Sequence, residues 1–179
     1  MYIFKILITG DASVGKTTLT HRLISGQFEV DFKPSIGTTM YSKKINYEGQ
    51  EITLVLWDFA GEDKFRFLLK SYAEGADGAF LLYDITNFNS FNNIKNWNEV
   101  IREAEENIPI MLIGSKLDLE NSREVPREEG EEAAKKFDLY PFIELSSKSG
   151  ENVDRAFDDL VEMLITFIRH KEKKTPFTI

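Results

Sequence analysis

The chain has 179 residues, 42% of them hydrophobic, which suits one soluble globular domain with a sizeable core rather than two domains. A formal net charge of -8 and an isoelectric point near 4.9 argue against a general nucleic-acid binder, because a phosphate backbone would be repelled. With no cysteine, disulfides, thiolate metal sites and cysteine-borne prenyl or palmitoyl anchors are excluded as well.

The apolar start, Met1 to Ile8, is too short to span a bilayer and is read as a core strand over Phe4 to Thr9 rather than a signal peptide. It runs into Gly10, Asp11, Ala12, Ser13, Val14, Gly15, Lys16 and Thr17, which fit the Gly-x-x-x-x-Gly-Lys-Ser/Thr phosphate loop at every fixed position. A strand that feeds a tight loop and then a helix makes an anion cradle, with backbone N–H groups pointing inward and the helix dipole aimed at the same point. In that reading Lys16 neutralises the terminal phosphates and the Thr17 hydroxyl ligates the magnesium that bridges them. The competing reading, a glycine turn before an ordinary helix, does not require lysine beside a hydroxyl residue.

Further along, Tyr41 to Tyr47 and Ile52 to Trp57 flank the turn Glu48-Gly49-Gln50 and predict an antiparallel hairpin, so one edge strand should run backwards. Ala79 to Asp84, Ile110 to Ser115 and Tyr140 to Leu145 are mostly apolar runs that read as buried strands. Ser90 is placed to cap a helix with Phe91, Ile94, Trp97, Val100 and Ile101 at helical spacing. Val153, Phe157, Leu160, Val161, Leu164, Ile165 and Ile168 repeat that period in a last helix, where core packing explains them. The alternation of strands and helices predicts an α/β fold, a mostly parallel sheet with helices on both faces. It is expected to fill residues 1–170 and leave 171–179 as a loose tail with solvated lysines.

A phosphate loop alone leaves ATP and GTP undecided. Lys116-Leu117-Asp118, however, follows the strand from Ile110 at its carboxyl end, where doubly wound sheets bind ligands. An aspartate there can accept hydrogen bonds from the ring N–H and exocyclic amine of guanine, donors that adenine does not present on that edge. The stem of Lys116 can lie over the base while its ammonium reaches back to the phosphate loop. A solvent-facing ion pair is the bland alternative for these two residues.

With those residues on view, the chain resembles a small GTPase of the Ras superfamily, most closely its Rab branch, over nearly its full length. Trp57-Asp58-Phe59-Ala60-Gly61 is similar to the family's Asp-x-x-Gly element, and Tyr83-Asp84-Ile85-Thr86 to a Rab-type strand end. Ser146-Ser147-Lys148 is similar to the Ser-Ala-Lys base loop, with Ser147 in the alanine's place. The resemblance implies a phosphate-loop NTPase G domain that binds GTP or GDP with Mg2+. It also implies that Thr18, Ser115, Ser146, Ser147 and Lys148 join the nucleotide site and that Phe28 packs edgewise against the base. Thr17 and Ser35 would ligate magnesium, Asp58 would hold it through water, and the Gly61 N–H would touch the γ-phosphate beside Lys16.

Besides Ser147, four positions depart from the family's pattern. Glu62 stands where a glutamine orients the attacking water; a carboxylate can accept a hydrogen bond from water but lacks the amide's donors and adds negative charge near an anionic phosphate. Slow intrinsic hydrolysis, open to rescue by an external activator, is therefore expected. Ser35 replaces threonine in Phe32-Lys33-Pro34-Ser35-Ile36-Gly37-Thr38, keeping the hydroxyl and N–H but losing β-branched stiffness, while Phe32 replaces a tyrosine. Ser115 replaces asparagine, and threonine occurs there in the Rho branch.

The implied partners are effector, exchange-factor and GTPase-activating proteins, with Ile36, Met40, Trp57, Phe65 and Leu68 as an effector surface or, equally, as core. No nucleic-acid partner is expected. The resemblance implies a monomer, and a cytoplasmic protein is the simplest expectation, with any membrane recruitment through a partner because the terminus Thr175-Pro176-Phe177-Thr178-Ile179 carries no cysteine. A binding-only pseudo-GTPase that acts as sensor or scaffold is the main alternative. An ATP-using phosphate-loop kinase or ATPase is disfavoured by Lys116 and Asp118 and by the lack of an arginine-rich lid.

Overall fold

The computed structural model describes residues 2–24, 32–35, 37–61 and 63–174, giving backbone alone for 32–35, 63–67 and 171–174. Ile3 to Ile8 lies within β1 (Tyr2–Gly10), which is buried from Ile6 to Gly10 because neighbours cover both its edges and helices cover both its faces. After α1 (Lys16–Ile24), the strands β2 (Phe32–Ser35), β3 (Thr38–Tyr47) and β4 (Gln50–Phe59) follow, then α2 (Asp63–Ala73) and β5 (Gly78–Asp84). The chain continues through α3 (Phe88–Asn92), α4 (Ile94–Ala104), β6 (Ile110–Ser115), a 3-10 turn (Leu117–Ser122), α5 (Arg127–Phe137), β7 (Phe142–Glu144) and α6 (Val153–Lys174).

The seven strands are ordered β2-β3-β4-β1-β5-β6-β7. Pairings of β1 with β4 and β5, of β5 with β6, and of β6 with β7 are parallel. As the hairpin signal predicts, β3 runs against its neighbours, turning into β4 through Glu48 and Gly49, both at positive φ. The short β2 pairs on the outer side of β3, so the reversed strand is second from the edge.

Strand periodicity splits the core into two layers. Phe4, Ile6 and Ile8 of β1 join Leu19 of α1 and Leu160 and Leu164 of α6 on one face. Leu7 points the other way, into a cluster with Leu69, Leu81, Trp97, Ile101, Leu112 and Ala134. Each such side chain contributes about 1.5–3 kcal/mol through burial. Helices therefore cover both faces, as expected.

Some boundaries differ from the expectation. The strand read over Tyr140 to Leu145 is confined to Phe142–Glu144, since Pro141 brings no N–H to the ladder. Ser90 is not the cap. Asn87 caps α3, its side chain accepting from the amides of Asn89 and Ser90, while Ser90 Oγ accepts from Asp84 N and donates to the Asn87 carbonyl. Its helical run is split at Asn93 into α3 and α4. Helix α6 continues to Lys174, into the segment read as loose.

Candidate functional site

The carboxyl ends of β1, β4, β5 and β6 share one rim of the sheet, and the phosphate loop rises from it. Gly10 closes β1 at φ 129°, and any Cβ there would run into the Leu82 carbonyl of β5, so this position admits glycine alone. The loop then enters α1, whose Leu19 N–H donates to the Gly15 carbonyl at 2.9 Å. Ala12, Ser13, Thr17 and Thr18 are exposed, whereas Val14 and Lys16 are buried. The Lys16 ammonium curls over its own loop, donating to the carbonyls of Gly10 at 2.9 Å and Asp11 at 2.5 Å. Burial pulls its pKa down to about 8 against the upward pull of Asp58 and Asp11.

Asp11, expected among the nucleotide contacts, spends its carboxylate on the loop's support. Its Oδ2 accepts from Asn93 Nδ2 and its Oδ1 from Trp97 Nε1, both at 2.7 Å, which ties the loop to α4. Gly61 packs its backbone on the same segment, because a Cβ there would overlap the Asp11–Ala12 peptide. The Asp-x-x-Gly glycine and the phosphate loop thus touch directly.

At the end of β4, Asp58 is 6% exposed and its Oδ2 accepts from Thr17 Oγ1 at 2.6 Å. Its Oδ1 is buried with no hydrogen-bond partner. Burial raises the Asp58 pKa, opposed by the Thr17 hydrogen bond and the Lys16 charge. A buried carboxylate oxygen left open beside a hydroxyl, all ligands being oxygen, fits magnesium or a water in its shell.

Across the rim lies a cavity of about 220 Å³, lined by Val14, Gly15, Thr18, Ser115, Lys116, Asp118, Leu119, Ser147 and Lys148. It joins the phosphate loop, β6 and the segment after β7 around a space that suits one planar base. Ser115 Oγ lies 2.6 Å from the Val14 carbonyl and 2.8 Å from that of Tyr83, so its single proton pins the phosphate loop to the base loop. Asp118 Oδ1 accepts from Ser146 Oγ at 2.6 Å, and Oδ2 faces the exposed Lys148 ammonium at 3.9 Å. The Lys116 ammonium does not reach the phosphate loop as expected: it pairs with Asp84 Oδ2 at 2.6 Å, which is nearer to hand at the end of the neighbouring strand.

Comparison with known proteins agrees with this geometry. The sequence profile of the Ras family matches residues 5–166. Over 171 residues the chain is 40% identical to the Ras-related protein Rab-8B of Homo sapiens, covering 95% of this chain and 82% of that protein. It is 39% identical over 163 residues to the Ras-related protein SEC4 of Candida albicans, covering 90% and 77%. With the Ras-related protein RABA4b of Arabidopsis thaliana it shares 37% identity over 171 residues, covering 95% and 76%. The chain belongs to the Ras family, in its Rab branch.

Ras-family proteins of this branch are GTP-binding molecular switches with GTPase activity. Of the remaining residues the Ras-family pattern points to, Phe28 and Glu62 lie outside the described residues, as does Ile36. Ser35 ends β2 opposite Thr38, and Phe65 is described in backbone alone. Met40 and Trp57 face each other across β3 and β4 and, with Leu68, are half-buried. Trp57 packs on Tyr72 with ring centroids 5.6 Å apart and lies under the Lys5 ammonium. Three supporting side chains escaped the sequence reading. Asn93 carried no signal, Trp97 read as core because it falls on the apolar stripe of α4, and Asp84 was noted only as a strand end.

Proposed function

We propose that this chain binds GTP and GDP with magnesium at the rim described above and hydrolyses GTP slowly. The observation that carries this reading is convergence: the phosphate loop with Lys16 and Thr17, Asp58 and Asp118 come from three separate stretches of sequence, Thr17 bonding Asp58 while Val14, Gly15 and Thr18 of the same loop share a cavity with Asp118. Lys16 gives up its two loop carbonyls to neutralise the terminal phosphates, with the amides of Asp11 to Gly15 around it. Thr17 and Ser35 would hold magnesium, with Asp58 supporting it through water, and the ion would supply charge neutralisation at the phosphate oxygens. Asp118, oriented by Ser146 Oγ, accepts from the two guanine donors, while Ser115, Ser147, Lys148 and Thr18 close the base pocket and Phe28 flanks the base.

Catalysis in this class is positioning and charge stabilisation. The Gly61 N–H faces the γ-phosphate, and Glu62 accepts a hydrogen bond from the attacking water without donating one to the transition state. The γ-phosphate orders the segments around Ser35 and Gly61, and effectors read that order; exchange factors and GTPase-activating proteins drive the cycle. Among the described residues no helix is long and apolar enough to cross a membrane, and membrane visits are assigned to a partner. The binding-only alternative differs in one respect, turnover. Chromatography of the nucleotide carried by the purified protein, followed by single-turnover phosphate release, tests both readings. Guanine nucleotide with slow release that quickens at least about tenfold in Glu62→Gln supports the proposal. Equally fast release by both proteins contradicts it, and no release by either leaves the sensor reading in its place.

A further inference from the structure

Asp84 closes β5 beside Ser115 of β6, in the middle of the sheet and at the rim that carries the base pocket. Its side chain is 7% exposed. Both oxygens of its carboxylate are engaged: Oδ1 accepts from Thr86 N at 2.9 Å and Thr86 Oγ1 at 2.7 Å, and Oδ2 holds the Lys116 ammonium at 2.6 Å. Thr86 therefore fixes the direction of the carboxylate, and the carboxylate fixes the end of the lysine.

Lys116 needs that hold. It sits at φ 65° and ψ 37°, a left-handed conformation that is unfavourable for a residue with a Cβ. On one side Ser115 is pinned to the Val14 carbonyl, and on the other Asp118 accepts from Ser146. Between those anchors Lys116 lines the cavity, and its side chain is only one-third exposed. Four rotatable bonds would let an untethered lysine leave that wall for solvent, at a gain in entropy.

We infer that Asp84 is a positioning residue for the base pocket, acting through Lys116: it keeps the lysine stem as a wall of the cavity and so slows release of the bound nucleotide. This rests on the proposed guanine-nucleotide reading and adds to it a residue outside the cavity lining. The arrangement also means that the Lys116 charge is spent on the protein rather than on phosphate, so its part at the pocket is the apolar stem.

The test is the release rate of a fluorescent GDP analogue from the magnesium-loaded full chain into excess GDP, in a double-mutant cycle. Asp84→Asn is expected to speed release by about tenfold, and Lys116→Met by a similar factor or more. Because Asp84 acts through the lysine, adding Asp84→Asn to Lys116→Met should change release by less than about twofold. Release from Asp84→Asn at the wild-type rate, or effects that multiply in the double variant, overturns the inference. Should Asp84→Asn not fold, Thr86→Ala carries the same cycle: it keeps the charge and removes one donor that aims it. It should speed release in the wild-type background and leave Lys116→Met unchanged, and any other outcome overturns the inference. A wild-type protein that takes up no GDP analogue strikes the proposed function itself, whereas one that holds it as long without Asp84 strikes only this assignment.

Discussion

Burial sets the behaviour of Lys16 before any ligand arrives. Its folded pKa of about 8 lies below the ordinary lysine value of 10.5, so the unfolded chain keeps a proton that the unliganded fold sheds between those values. The fold therefore carries the cost of a buried ammonium below about pH 8 and recovers stability as the pH rises toward 10.5. A polyphosphate reverses the balance by holding Lys16 charged. GDP affinity should be level up to about pH 8 and then fall by as much as about tenfold per pH unit, with close to one proton taken up on binding. Fluorescence titration across this range and calorimetry in two buffers of different ionisation heat measure both quantities. A flat profile with no proton uptake would contradict the assignment of Lys16. At this scale the sequence is readable where chemistry fixes spacing, as for Lys16 and Thr17 at a helix start or Lys116 and Asp118 after a strand. It is silent where a partner comes from a distant element, as for Asp84 under Lys116 and Trp97 under Asp11.

Strands β2 and β3 illustrate a different limit. Ala60 N–H donates to the Gly37 carbonyl, so Gly37 and alternate residues after it bond toward β4, leaving Thr38 and Met40 to bond toward β2. The residues opposite them, Ser35 and Lys33, then turn their amides inward to β3. Pro34 falls at the outward position, where its missing N–H costs the hairpin nothing and blunts the sheet edge. In this arrangement the Ser35 amide serves the hairpin and is withheld from a γ-phosphate. On the proposed reading, a γ-phosphate that takes the Ser35 amide would draw it off β3 and order it anew, and GDP would not. Lys33→Pro removes the other inward donor, worth about 1 kcal/mol, and should raise the ratio of GTP-analogue to GDP affinity about fivefold. Equilibrium competition between the two nucleotides reads that ratio, and an unchanged value would count against the coupling. The apolar runs behind β1, β5 and β6 are legible because burial on both faces demands them. Phe32 to Ser35 contains lysine, proline and serine and resembles a loop, since its pairing depends on a neighbour rather than on its own pattern.

For the molecule as a whole, the parallel order of β4, β1, β5 and β6 is what brings the distant motifs together. Each parallel strand ends at the same rim, so residues as far apart in sequence as Val14 and Ser115 come to share a hydrogen bond. That architecture could be read from the alternation of strands and helices, and Asp118 from its place at a strand end. The direction of each supporting side chain could not, because the Asp11 and Lys116 contacts are choices among several donors and acceptors within reach. This rim is proposed to hold a guanine nucleotide, read by Asp118. Competition of GDP and ADP for the nucleotide-free protein, with and without Asp118→Ala, tests it most directly. Wild-type protein is expected to prefer GDP by at least about a thousandfold, because the carboxylate would face no donors on adenine, and Asp118→Ala should lose most of that margin. ADP that displaces GDP at equal concentration from wild type, or a preference that survives the loss of Asp118 unchanged, would contradict the account.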